Sequence, residues 1–297
     1  LVPLPAPTNS LTPPLPPSAL SQAQSVAQMT APVSEDLVSE ELGPDSCHLL
    51  YLFSGPLVGD ALLSHAWKDV ATRNGLTGVT TSIDVVIHPS LDLVDDIFVG
   101  QLMQRLEKRH FDAVMLSPPC STFSVATRGA LRGPAPHNVL GLPFLSYSQK
   151  EKLKLGNLLA SRAAQFVVAA ARLGIPWLLE NPMRRPGYAS IFLLPCFQAL
   201  QALPSFYEVS GPQCSFGAGF LKHTTYWASF PFQVPSECVH PIQWWRIPPS
   251  GQWHSGPHPP LRGKILAVQA DLWTGNGTHS CAVACAVSYK SDRALPT

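Results

Sequence analysis

Two short segments of the chain carry side chains suited to covalent chemistry. Phe111–Ser124, FDAVMLSPPCSTFS, places Cys120 directly after Pro118-Pro119 and ahead of small hydroxyl residues. A cysteine thiolate is a strong nucleophile, so a thiol held in such a turn suits addition to an electrophilic carbon. Ile175–Pro182, IPWLLENP, ends in Glu180-Asn181, whose carboxyl can hold or pass a proton. Alone, a cysteine or a glutamate at a strand end is more often a structural or capping group. Here both follow short, wholly apolar runs of the kind that lie inside a parallel sheet. The carboxyl edge of such a sheet is where open α/β folds place their ligands, so the two side chains share one rim.

The elements that must position them can be read in chain order. His48–Phe53 is an apolar, strand-like run that passes into Ser54-Gly55-Pro56 and then a helix-like segment through Trp67. A strand, glycine turn and helix let backbone N–H groups approach a nucleotide-type cofactor, although only Gly55 and Gly59 remain of a full GxGxxG pattern. Gly78–Ile83 predicts a second strand ending in Asp84, which is placed to accept from a ribose. Asp92 is a further candidate for ribose or adenine, whereas Asp95 and Asp96 read as caps of a helix near Ile97–Lys108. Val125–Ser146 is a long Gly- and Pro-rich loop carrying Arg128 and Arg132, and long loops in compact domains are usually functional. Helical spacing of apolar residues predicts a helix over Gln149–Leu173, and Phe206–Gly217 with Lys222–Phe230 read as late strands or a hairpin.

Composition sets the class. The chain has 297 residues and 45% hydrophobic content, enough for a sizeable core, and no stretch of the length and apolarity of a membrane span. Leu1–Ser46 is rich in Pro, Ser, Gln and Ala and carries no Lys or Arg, the signature of a disordered, acidic leader. All 20 Lys and Arg but only 14 of the 19 acids follow it, a net +6 that suits a polyanionic partner. Seven scattered cysteines, never spaced CxxC, argue for reduced thiols and against a disulfide framework or a structural zinc site. His254 and His258 are spaced as a helical metal pair, but Pro257, Pro259 and Pro260 forbid the helix, so no metal is expected. The first residue is Leu, and further domains of a longer polypeptide are expected.

Taken together and in this order, the segments resemble the DNA cytosine C5-methyltransferases over roughly residues 48–289. Leu52-Phe53-Ser54-Gly55 is similar to the family's cofactor loop and Pro118-Pro119-Cys120 with Phe123-Ser124 to its nucleophile motif. Glu180-Asn181 is similar to its proton-donor motif and Gly275-Asn276-Gly277 to its terminal motif. The resemblance implies an α/β, Rossmann-like S-adenosylmethionine-dependent methyltransferase fold, with a mostly parallel sheet and helices on both faces. It implies transfer of a methyl group to C5 of cytosine, with Cys120 adding at C6, Glu180 stabilising the charge that develops, and Lys222 supplying a cation. In the cofactor site, Phe53, Ser54, Gly55, Asp84, Asp92, Pro119 and Asn276 are implied. Ser124, Arg128 and Arg132 are implied contacts to a flipped-out base and its phosphates.

Several positions depart from the family. Its second cofactor-loop glycine is replaced by Leu57 unless Gly59 serves, Ser82 stands where a glutamate is usual, and its QxRxR segment appears as Phe220-Leu221-Lys222-His223-Thr224. Thr224 lacks the bidentate capacity of arginine. The resemblance divides the chain into the leader to residue 46, a catalytic core over 47–230, a small recognition-like segment over 231–274, and a helix in 275–297 completing the core. A monomer acting on DNA is expected, intracellular and, in a eukaryote, nuclear; nothing reads the sugar, so RNA stands as a second substrate. Two rivals are an exocyclic-amino methyltransferase, whose motif has an aromatic where Cys120 stands, and a catalytically decayed nucleic-acid-binding domain of a mobile element or polyprotein.

Overall fold

Every residue of Ala113–Leu116 is buried, and this four-residue strand lies in the middle of the structure with apolar cover on both faces. The computed structural model describes residues 43, 45–55, 63–123, 131–216, 221–246 and 251–258. The leader up to residue 42, Ser124, Arg128, Asn276 and the terminal helix of 275–297 lie outside the described residues. The elements run β1 (Ser46–Leu52), α1 (Leu63–Arg73), β2 (Thr77–Ile83), α2 (Asp96–Glu107), β3 (Ala113–Leu116) and α3 (Tyr147–Arg172). They continue with β4 (Trp177–Pro182), α4 (Pro195–Gln198), β5 (Tyr207–Pro212) and β6 (His223–Ala228), and end in a separate hairpin of β7 (Gln243–Arg246) and β8 (Trp253–Gly256).

The main sheet has six strands in the order β2-β1-β3-β4-β6-β5. β2, β1, β3 and β4 are mutually parallel, and β6 is antiparallel to both β4 and β5. The side-chain period of two sorts the strands into two cores. Leu50, Leu52, Val114, Leu116, Trp177, Leu179 and Trp227 point to the face covered by α2 and α3. Cys47, Leu49, Ala113, Met115, Leu178 and Tyr226 point to the face covered by α1 through Leu63, Trp67 and Val70. This is the doubly wound, Rossmann-like α/β fold expected, with an antiparallel edge.

Local signals fix the helices. Asp95 caps α2 by accepting from the Ile97 and Phe98 amides at 2.7 and 3.2 Å, the capping role its position suggested, and Asp96 in the first turn pairs with Arg162. α3 begins two residues before the expected start because Ser146 and Gln149 form a capping box. On the opposite face, α1 lies against β2 at Gly78. A Cβ there would sit 2.6 Å from Lys68 Cα and 3.0 Å from the Trp67 carbonyl oxygen, atoms that cannot swing away. Gly78→Ala is therefore expected to cost about 1–3 kcal/mol, read as a lower urea midpoint with an unchanged slope. Among the described residues no helix is long and apolar enough to cross a membrane.

Candidate active site

The sheet order fixes where ligands can go. β1 leads through α1 to β2 on one side, while β3 lies on the other side of β1, so the crevice between the carboxyl ends of β1 and β3 is the topological switch point. Phe53-Ser54-Gly55 leaves β1 there and Ser117-Pro118-Pro119-Cys120 leaves β3. One strand further on, β4 pairs Leu179 with Leu116, which sets Glu180 beside Ser117. β6 runs the opposite way, so its beginning meets the end of β4: Asn181 pairs with Thr225 and Pro182 with Thr224. Lys222, just before β6, and Gln213, just after β5, thus reach the same rim, joined to each other by a 2.9 Å bond from the Gln213 amide to the Lys222 carbonyl.

Glu180 is the centre of this rim. It is 4% exposed, and a carboxylate so deeply buried requires charged or hydrogen-bonding partners. Its Oε1 accepts from Lys222 Nζ and from Gln213 Nε2, both at 3.0 Å, and its Oε2 accepts from Ser117 Oγ at 3.1 Å. Tyr51 lies 3.4 Å from Ser117 Oγ. Because the Ser117 proton is directed at Glu180, the phenol is the donor, which makes a relay Tyr51–Ser117–Glu180. Burial pushes the Tyr51 phenol above its ordinary 10.0, so it keeps that proton. Among the described residues, three donors occupy three of the four lone-pair positions of the carboxylate and leave one, on Oε2. Asn181 donates to the Pro118 carbonyl at 2.8 Å and clamps the Cys120 loop to the end of β4.

Cys120 is partly buried on the turn that follows, with its carbonyl accepting from the Phe123 amide at 2.9 Å. Burial pushes its thiol above the ordinary 9.0; the Lys222 charge opposes this and the Glu180 charge adds to it. Burial pulls down on the Lys222 ammonium, but Glu180 and Cys120 outweigh it and hold the group above its ordinary 10.5. The three groups expected to be catalytic are therefore one electrostatic unit: a thiol, a carboxylate and an ammonium on adjacent strand ends.

On the other side of the crevice, Phe53 has φ 58 and Gly55 φ 73, so the chain turns sharply as it leaves β1. Asp84 holds this turn by accepting from the Gly55 amide at 2.9 Å and from the Val86 amide at 2.9 Å. Among the described residues no atom lies within 4 Å of where a Cβ of Gly55 would sit, and Val85 and Val86 present apolar surface beside Asp84, 50% and 58% exposed. Asp92 accepts from the Val94 amide at 2.9 Å, Pro119 is exposed, and the Phe53 ring packs within the core. Arg132 faces inward, not toward a phosphate. It is 4% exposed, donates to the Val139 carbonyl and to Asn157 Oδ1 at 2.7 Å, bonds Thr122 Oγ1 at 3.0 Å and stacks 3.8 Å from the Phe123 ring. This pins the segment after Cys120 onto α3. Ser117, Gln213 and Tyr51 were not singled out by the sequence, since only strand register brings them to Glu180; the serine beginning SPPC was the one visible signal.

No protein-family model and no curated protein matches this chain. Among solved structures, it is similar to the Entamoeba histolytica methyltransferase EhMeth, with 10% identity over 66% of this chain and 58% of that one and a TM-score of 0.34. It is also similar to an E. coli prophage-encoded putative DNA modification methyltransferase, with 16% identity over 62% and 46% of the two chains and a TM-score of 0.32. A mutant of Spodoptera frugiperda DNMT2 gives 13% identity over 64% and 53%, with a TM-score of 0.29. This chain thus spans about half the length of each of these structures.

Proposed function

We propose that the chain transfers a methyl group from S-adenosylmethionine to C5 of cytosine in DNA through a covalent adduct with Cys120. The observation that carries this reading is the Ser117–Glu180 bond, which ties the nucleophile's loop to the acid's strand at the sheet edge beside the β1 turn. C5 of cytosine is a poor nucleophile, and a thiolate added at C6 converts the ring to an enamine. Cys120 Sγ forms the bond to C6, and the ring's electron pair moves toward C5 and N3. Glu180, through the remaining position on Oε2, holds the proton or amino group at the pyrimidine edge where charge develops. Lys222 keeps that carboxylate oriented and favours the thiolate. S-adenosylmethionine, when bound, supplies the methyl as a sulfonium electrophile. Loss of the C5 proton to a base and elimination of the Cys120 thiolate then restore the aromatic ring.

The crevice fits such a cofactor in three respects. Among the described residues, space is open over Gly55 and Asp84 accepts one hydrogen bond on each oxygen, and Val85 and Val86 offer an apolar wall for a purine. For the nucleic acid, β7 pairs Arg246 with Trp253 and Trp244 with Ser255, so alternation places Trp244, Arg246 and Trp253 on one exposed face of the hairpin. Aromatic rings beside a guanidinium suit stacking on splayed bases and contact with a phosphate. The expected result with a 5-fluorocytosine duplex and S-adenosylmethionine is a covalent protein–DNA complex resistant to denaturant and absent in Cys120→Ser. Methyl transfer without any such complex points to an exocyclic amino acceptor, and neither transfer nor cofactor binding would leave only the nucleic-acid-binding reading. Running labelled transfer on RNA beside DNA distinguishes the two substrates.

A further inference from the structure

We propose that Cys214, Cys238, His240 and His258 bind a Zn2+ ion that fastens the 231–258 segment to the antiparallel edge of the sheet. The Sγ and ring-nitrogen atoms of these four residues all lie within 4.8 Å of one another. Cys238 Sγ is 3.3 Å from His240 Nδ1 and 3.4 Å from His258 Nε2. With Zn–S near 2.3 Å and Zn–N near 2.0–2.1 Å, adjacent S and N ligands on a tetrahedron sit about 3.5 Å apart, so the observed edges need only small movements. Two thiols and two imidazoles gathered within 4.8 Å of one another are the donor set of zinc rather than of Mg2+ or Ca2+, which take oxygen. Four protein donors close the coordination shell, which makes the ion structural and leaves no position for a substrate.

The surroundings supply the reason for such a site. Among the described residues of 231–258 the one regular element is the two-stranded β7–β8 hairpin, and such a hairpin is marginal alone. Among the described residues of the segment, Phe232 is the hydrophobic buried in the core and Val234 packs against that core cluster, while Val239, Ile242, Trp244 and Trp253 are exposed. So little apolar burial does not hold a segment of this length to the protein, and small units of this kind usually need a staple. The four ligands lie where a staple acts. Cys214 is 3% exposed and sits in the 3-10 turn Gln213–Phe216 that ends β5; Cys238 and His240 precede the hairpin and His258 follows it. Coordination therefore closes both ends of the hairpin onto the sheet. It also fixes Cys214, next to Gln213, and the Gln213 side-chain Nε2 donates to Glu180 Oε1.

Spacing argued against a metal site, and it fails here for a physical reason. The donors come from three separate stretches of sequence, so they form no CxxC or HxxxH pattern among themselves. His258 uses Cys238 and His240, not the His254 that its spacing suggests.

The test uses the full chain purified without chelator. Elemental analysis is expected to find about one zinc per chain, and Co2+ exchange to give the visible d–d bands of a tetrahedral thiolate site. Cys214→Ser and His258→Ala should each lose the metal, with His254→Ala retaining it. Should those variants fold poorly, chelation of the parent protein gives the same information: loss of zinc should shift the emission of the half-buried Trp245, whose Nε1 donates to the Gly256 carbonyl, to the red, and returned zinc should reverse it. The proposal is overturned by parent protein that takes up neither zinc nor cobalt, by metal content unchanged in both variants, by a Cys214–Cys238 disulfide in its place, or by chelation that removes zinc and leaves the emission unmoved. None of these readouts depends on methyl transfer.

Discussion

Glu180→Gln is expected to lower methyl transfer by about 10²–10⁴-fold, with little loss of cofactor binding and a fold that survives. The carboxamide is nearly isosteric. Its oxygen can still accept from Lys222 or Gln213, and its NH2 can donate to Ser117 in place of the bond now made in the other direction. What it cannot do is hold a proton or become an anion. A general acid removed without collapse of its surroundings should lower kcat more than it raises KM. Single-turnover transfer, cofactor calorimetry and the trapped 5-fluorocytosine complex together read this out. Transfer within a few-fold of the parent would mean that Glu180 is a structural anchor of the rim and not its acid.

Lys222→Met is expected to act first on stability. It leaves a carboxylate that is 4% exposed without its counter-charge, and breaking one side of a buried pair costs about 3–5 kcal/mol. Adding Glu180→Gln to that variant removes the orphaned charge and should restore most of the loss, since the two residues are coupled. Urea unfolding of the two single variants and the double closes the cycle. The direction with pH follows from the lysine's raised value: the pair's contribution is complete below the ordinary 10.5 and is lost only as pH rises through the higher folded value. Chemical reactivity supplies a second measure. Burial holds Cys120 above its ordinary 9.0 and Lys222 opposes that, so Lys222→Met should slow alkylation of Cys120 at fixed pH and move the rise of the rate to higher pH.

Central strands were legible because burial on both faces forces unbroken apolar runs. Ala113–Leu116 and the run before Glu180 both appear where expected. The late strands were read less well: the segment expected to extend from Phe206 to Gly217 stops at Pro212 and winds into a 3-10 turn. Proline is tolerated on this edge strand, and the turn is what delivers Gln213 to Glu180. The site was legible only as far as its chemistry is carried by single residues at strand ends. Cys120, Glu180 and Lys222 fall on one rim, but their supporting partners depend on register. Ser117 is 63 residues from Glu180, Gln213 33 and Lys222 42. Arg132 shows the converse. A cation in a Gly/Pro loop reads as a ligand contact, yet Asn157, Thr122 and the Val139 carbonyl form an internal socket for it.

The position of β6 between β4 and β5 also orders events during synthesis. β5 leaves the ribosome before β6 but, among the described residues, pairs only with β6, so it has no place in the sheet until β6 has been made and inserted. Until then Glu180 lacks Lys222, and β4 has an open edge. A nascent chain halted between residues 182 and 222 therefore carries an exposed strand edge and an uncompensated acid, both invitations to aggregate or to be bound by a chaperone. Folding of the sheet and assembly of the Glu180 cluster become a single late step. A chain truncated ahead of His223 should be recovered as an insoluble product, not as a smaller stable domain.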